Sequence, residues 1–119
     1  MSRNSVLIVE DSKYMQEVIR NALAGKYTVV GVTDKAEEAL TLAQSLQPAI
    51  ITLDNILPDG FGGDVVQELR ARGYKGKILM VSSLANQAMI QQELQQGANG
   101  YLAKPFTEDE LLKALQKIQ

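Results

Sequence analysis

The 119-residue chain contains no cysteine and no histidine. The first absence excludes disulfides, thiolate metal sites and thiol nucleophiles. The second removes the commonest general base, a common transition-metal ligand and the usual phosphohistidine carrier. Positive charge is not in excess either: the formal net charge is -2 and the pI is near 5.1. The chain therefore carries no basic footprint for nucleic acid or an anionic membrane. No apolar run reaches membrane-spanning length. The N-terminal stretch MSRNSVLIVED turns acidic too early for a signal peptide, so a cytoplasmic protein is expected. Against these absences, 45% of the residues are apolar, which suffices for a packed core. Residues 1–119 are expected to form one domain.

What is present alternates two periods. Val6–Val9 is a continuous apolar run, the pattern of a strand covered on both faces. Met15, Val18, Ile19 and Ala22 follow at helical spacing, and Gly25 suits a helix end. Tyr27–Val32 reads as a second strand. Asp34 with Glu37 suggests a capping box for a second helix lined by Ala36, Ala39, Leu40 and Ala43. Ala49–Leu53 is a third buried strand, followed by the Pro- and Gly-rich loop NILPDGFGG. Val65, Val66 and Leu69 mark a third helix and Ile78–Val81 a fourth strand. Met89, Ile90 and Leu94 line a fourth helix closed by Gly97, and Gly100–Ala103 is a fifth strand. Thr107 with Glu110 is a second capping box, for a helix lined by Leu111, Leu112, Leu115 and Ile118. Five βα units imply an α/β fold, a five-stranded parallel sheet with helices on both faces. Ligands in such sheets bind beyond the carboxyl ends of the strands.

Those ends carry chemistry. Glu10 and Asp11 follow the first strand and Asp54 ends the third, so three carboxylates are expected to converge on one edge. Like charges repel there unless a cation intervenes, and oxygen donors without histidine or cysteine suit Mg²⁺ or Mn²⁺. Ser82 and Ser83 follow the fourth strand and offer hydroxyls to an oxyanion. Lys104 follows the fifth and offers a compact positive charge. A metal, a carboxylate nucleophile, a hydroxyl and a cation make a phosphoryl site. Each residue alone has an ordinary reading: an acid as a helix cap, Lys104 as a surface lysine, the serines as a cap for the fourth helix, Tyr101 as a half-buried strand aromatic. Their shared position at strand ends favours the functional reading.

The stretches VLIVEDS, TLDNILPDG, ILMVSS and GYLAKPF, in this order, resemble the receiver (response-regulator, CheY-like) domain of bacterial two-component signalling. The resemblance spans essentially the whole chain. It implies a doubly wound (βα)5 sheet of strand order 2-1-3-4-5, the flavodoxin/CheY-like fold. It implies Asp54 as phosphoacceptor, with Glu10 and Asp11 binding Mg²⁺ or Mn²⁺ and the Ile56 backbone carbonyl completing the metal site. Lys104 contacts the phosphoryl group, and Lys104–Pro105 is a cis peptide. Ser82 hydrogen-bonds the phosphoryl group and moves with it, and Tyr101 is the aromatic switch. A sensor histidine kinase or histidine phosphotransfer protein supplies the phosphoryl group. The face made by the fourth helix, fifth strand and fifth helix meets a downstream protein. The domain is expected to catalyse only its own phosphorylation and dephosphorylation.

The stretch MVSSLANQAM, with Tyr101, is most similar to chemotaxis regulators. Since no output domain follows Gln119, a stand-alone regulator or an excised receiver is expected. The alternatives are a phosphorelay intermediate, a phosphate-independent pseudo-receiver, an aspartyl-phosphate phosphatase and a flavin binder of similar architecture. Three departures from the family stand out: Glu10 where aspartate is frequent, Ser83 where alanine is frequent, and PDGFGG, in which Phe61 is expected to be partly exposed. Ile56 and Leu84, two residues beyond the phosphoacceptor and the switch serine, are both apolar and cannot orient an attacking water. A slow loss of phosphoryl is therefore expected. Ile56→Asn combined with Leu84→Glu should accelerate the decay, and an unchanged decay rate would refute this.

Overall fold

The continuous apolar runs become the middle of a sheet. The computed structural model describes residues 4–83 and 86–119. In chain order these are β1 (Ser5–Val9), α1 (Lys13–Leu23), β2 (Thr28–Thr33), α2 (Ala36–Leu46), β3 (Ile50–Asp54), β4 (Ile56–Leu57), β5 (Gly60–Phe61), α3 (Gly62–Ala71), β6 (Lys77–Ser82), α4 (Gln87–Gln96), β7 (Gly100–Ala103) and α5 (Glu108–Lys117). The main sheet has the order β2-β1-β3-β6-β7 and every pairing is parallel. Counting its five strands in chain order, this is the expected 2-1-3-4-5. β1, β3 and β6 are its interior and bury every residue except Lys77.

Strand alternation divides the core. Val6 and Ile8 of β1 pack with Ile19 and Leu23 of α1 and with Leu111 and Leu115 of α5. Leu7 and Val9 pack on the opposite face with Ala39 and Ala43 of α2 and with Val65, Val66 and Leu69 of α3. The three apolar runs thus explain both layers. Thr107 and Glu110 form the expected reciprocal capping box at α5, and Gly97 closes α4 at φ 126°.

The structure departs from the sequence reading in three places. The expected Asp34/Glu37 capping box is absent: Lys35 is the N-cap of α2 and makes no side-chain cap. Asp59 caps this helix instead, its Oδ1 accepting from Ala36 N at 2.6 Å and its Oδ2 from Glu37 N at 3.2 Å. Asp59 can reach there because the segment read as a loop contains the β4–β5 hairpin, with Ile56 paired to Phe61 and Leu57 to Gly60. The third departure is α4, where Met89, Ile90 and Leu94 are only half-buried and the one buried residue is Glu93.

The remote cap yields a pH-dependent prediction. Hydrogen bonds from the Ala36 and Glu37 amides hold the Asp59 carboxyl below its ordinary value of 3.8. Its contribution to stability is therefore present above that value and is lost as pH falls through the lowered one. Asp59→Ala should lower Tm by a few degrees at neutral pH, and the difference should close in strong acid. Hydrogen exchange at Ala36 and Glu37 should quicken.

Candidate functional site

The parallel register brings the strand ends together. Val9 pairs with Leu53, so the next residues, Glu10 and Asp54, are neighbours across β1 and β3. Glu10 continues the Val6–Ile8 side of its strand. Asp54 continues the side of Ile50, and Lys104 that of Leu102, so all three belong to the α1/α5 face. Lys104 Nζ lies 2.8 Å from Glu10 Oε1 and 3.5 Å from Asp54 Oδ2. The contact with Oε1 lacks hydrogen-bonding geometry, so it is an ion pair rather than an aligned bond. The other Glu10 oxygen accepts from Ser12 N at 3.0 Å, and Gln16 Nε2 donates to the Glu10 backbone carbonyl at 2.7 Å. These bonds make the turn from β1 into α1, which Ser12 caps through Met15 N. Asp54 Oδ1 accepts from Ile56 N at 3.4 Å.

Glu10 is 1% exposed and Asp54 is buried. Burial pushes the Glu10 carboxyl up, the Asp54 charge adds to this, and Lys104 and the Ser12 amide oppose it. One ammonium thus serves two buried carboxylates and leaves a net negative charge in a region of low polarity.

Of the expected site residues, Glu10, Asp54 and Lys104 come together. Asp11 is exposed, and the expected convergence of three carboxylates is not met: no group of three acids stands together among the described residues. The donor chemistry still fits Mg²⁺. That ion keeps several waters and needs only one or two carboxylates, and two buried carboxylates here share one ammonium. Of the carboxylates expected to hold it, those of Glu10 and Asp54 are buried and that of Asp11 is exposed. Ser82 is fully buried at the end of β6, on the opposite face from Asp54. Its backbone carbonyl accepts from Lys104 N at 2.8 Å, which ties the two strand ends. Tyr101 is half-buried and packs against the Leu7–Met80 cluster, on the same face as Ser82. The Lys104–Pro105 peptide is cis, as expected. α4 is capped by Asn86, whose Oδ1 accepts from Met89 N at 2.8 Å, and not by the serines. Ile56 is 44% and Phe61 64% exposed. Leu84 lies outside the described residues.

Sequence reasoning passed over Asn55 and Glu93. Asn55 is buried and donates from Nδ2 to Met89 Sδ at 3.2 Å, which ties the residue after Asp54 to α4. Glu93 is the acid of QQEL, and its burial has no local sequence signal.

Comparison with known proteins gives a consistent picture. Residues 6–116 match the family model described as response regulator receiver domain. The chemotaxis protein CheY of Listeria monocytogenes is 30% identical over 113 residues, which cover 94% of this chain and 95% of that protein. The nitrate/nitrite response regulator NarL of Escherichia coli is 30% identical over 115 residues, but these are only 53% of its length. Among solved structures, the signal receiver domain of the NarL-type response regulator from Mycobacterium tuberculosis superposes with a TM-score of 0.91. It is 30% identical, and the match covers 98% of this chain and 96% of that one.

Proposed function

The chain belongs to the response regulator receiver family, and from that premise we propose that it is a phosphorylation-activated signalling domain with Asp54 as acceptor. The observation that carries the reading is the buried Glu10–Lys104–Asp54 arrangement. An Asp54 carboxylate oxygen attacks the phosphorus of a histidyl phosphate on a partner kinase or phosphotransfer protein. The O–P bond forms, the N–P bond breaks, and the freed imidazole takes up a proton. Lys104, already 3.5 Å from Asp54, follows the growing charge on the phosphoryl oxygens. Glu10, Asp11, Asp54 and the Ile56 carbonyl would hold Mg²⁺, which would supply further charge neutralisation when bound.

Once modified, Asp54 gains negative charge at a fixed point. The Ser82 hydroxyl is the switch element that answers it, and Tyr101, on the same face, takes up the space released. The surface of α4, β7 and α5 then favours a different partner, a two-state equilibrium biased at one site. A chemotaxis-type output is the form this signalling takes, with the full set of residues 1–119 acting as one receiver. Intact-mass measurement after incubation with acetyl phosphate tests the reading. One phosphoryl adduct is expected with Mg²⁺, and none without Mg²⁺ or in Asp54→Ala. An adduct of equal yield in Asp54→Ala would refute it.

A further inference from the structure

A cavity with a largely apolar wall and a few acidic and amide groups lies beside the phosphoacceptor loop, between the start of α3 and α4. Its volume is about 280 Å³. That is just under the range of roughly 300–1,000 Å³ typical of small-molecule sites, so it suits a side chain better than a nucleotide. Its lining includes Asn55, Asp64 and Glu93, with Ile56, Phe61 and Met89 as the apolar part. No lysine or arginine among the described residues lines it.

Two of its buried side chains each carry one acceptor oxygen with no partner among the described residues. Glu93 is 5% and Asn55 3% exposed, and neither Glu93 Oε1 nor Asn55 Oδ1 has a hydrogen-bond partner. Both are acceptors. Buried acceptors left unpaired are costly, and a carboxylate is the costliest of them. Burial pushes the Glu93 carboxyl up, as expected for an acid that lacks a cation. The close approach of the two helices is built in: a Cβ on Gly63 would stand 2.6 Å from Gln96 Oε1.

We propose that this cavity receives the guanidinium of an arginine side chain presented by a partner protein. The charge complement selects a cation, since Asp64 and Glu93 are the only charged lining groups among the described residues. Arginine fits better than lysine because its planar fork can donate to two separate acceptors and can lie against an aromatic ring. Phe61, at the rim, offers that ring. The exposed Phe61 and Ile56 also make an apolar margin for the residues that flank the arginine, as in a docked peptide rather than a free amine. Because Asn55 directly follows Asp54, an occupant here touches the phosphoacceptor loop. Any difference in its affinity between the two states of Asp54 would be returned reciprocally to the phosphorylation equilibrium.

The test uses the unmodified protein without Mg²⁺, so it stands or falls independently of the phosphoryl chemistry. The probes are acetyl-Leu-Arg-Leu-amide, the same peptide with citrulline, and arginine amide. Titration is followed by NMR at the Asn55 side-chain amide, the Met89 methyl and the Glu93 carboxyl carbon. The arginine peptide should shift all three saturably and lower the Glu93 titration midpoint. The citrulline peptide should bind about tenfold more weakly or worse, the loss expected for one charged hydrogen-bond partner. Glu93→Gln should weaken the arginine peptide similarly. Phe61→Ala, at an exposed position that cannot unfold the core, should weaken it severalfold. The proposal is overturned if no saturable shift occurs, if citrulline matches arginine, or if both variants bind as wild type does. Arginine amide binding as tightly as the peptide would overturn the assignment to a protein partner.

Discussion

Lys104→Met is expected to slow phosphoryl uptake from a small donor by about 10²–10³-fold, the usual effect of deleting one preorganised charge donor. The reason is visible in the unmodified protein: a single ammonium lies 2.8 Å from one buried carboxylate and 3.5 Å from another. The same change alters stability with a defined sign. Glu10 already has its carboxyl raised above 4.5 by burial. A raised acid contributes stability that is complete below its unfolded value and is lost as pH climbs through the folded one. Without Lys104 that loss deepens, because nothing opposes burial or the Asp54 charge except the Ser12 amide. In Mg²⁺-free buffer the variant should be less stable at neutral pH by about 3 kcal/mol, the lower end for breaking a buried pair. The deficit should shrink as pH falls from neutral toward 4.5 and be gone below it, where Glu10 is protonated in both states. Lys104→Arg should keep most of the stability. Thermal melts across this pH range check the account. A deficit that does not vary with pH would mean that Lys104 acts through packing alone.

The second large effect is steric. Gly62 opens α3 directly behind Asp54, and its amide donates to the Asn55 carbonyl at 2.8 Å. A Cβ there would stand 2.8 Å from Asn55 Cα, with the Asp54 carbonyl oxygen nearer still. Both obstacles are backbone, so neither can rotate aside. Gly62→Ala is expected to cost about 3 kcal/mol, the upper part of the overpacking range, and to lower Tm by about 10 °C. It should also impair phosphoryl uptake, because the displaced backbone carries Asp54. Gly63→Ala provides the contrast. Its Cβ meets the flexible end of Gln96, so the cost should be small. Equal melting temperatures for the two variants would contradict this reading of α3.

These residues also show what was legible in the sequence. Val6–Val9, Ala49–Leu53 and Ile78–Val81 announce buried strands because both of their faces are apolar. The strand ends then place Glu10, Asp54 and Lys104 on one edge. The Thr107/Glu110 cap could be read because capping is local, with donor and acceptor three residues apart. Asp59 could not, because it caps a helix that starts 23 residues earlier, across the fold. The β4–β5 hairpin was hidden by its length of two residues per strand, below any periodicity. Glu93 runs against the polar-out rule of an amphipathic helix. Only the tertiary approach of α3 and α4 buries it. Asp11 adjoins Glu10 in sequence, but it lies beyond the end of β1 and is exposed where Glu10 is buried, a difference the sequence does not signal.

Asp54 is the proposed acceptor, and chemical trapping measures that most directly. The protein would be treated with acetyl phosphate and Mg²⁺, then with borohydride, which reduces an aspartyl phosphate to homoserine. Peptide mass spectrometry would then locate the change. The prediction is homoserine at position 54 alone, and none when donor or Mg²⁺ is omitted. Homoserine at position 11, or at any acid other than Asp54, would contradict it.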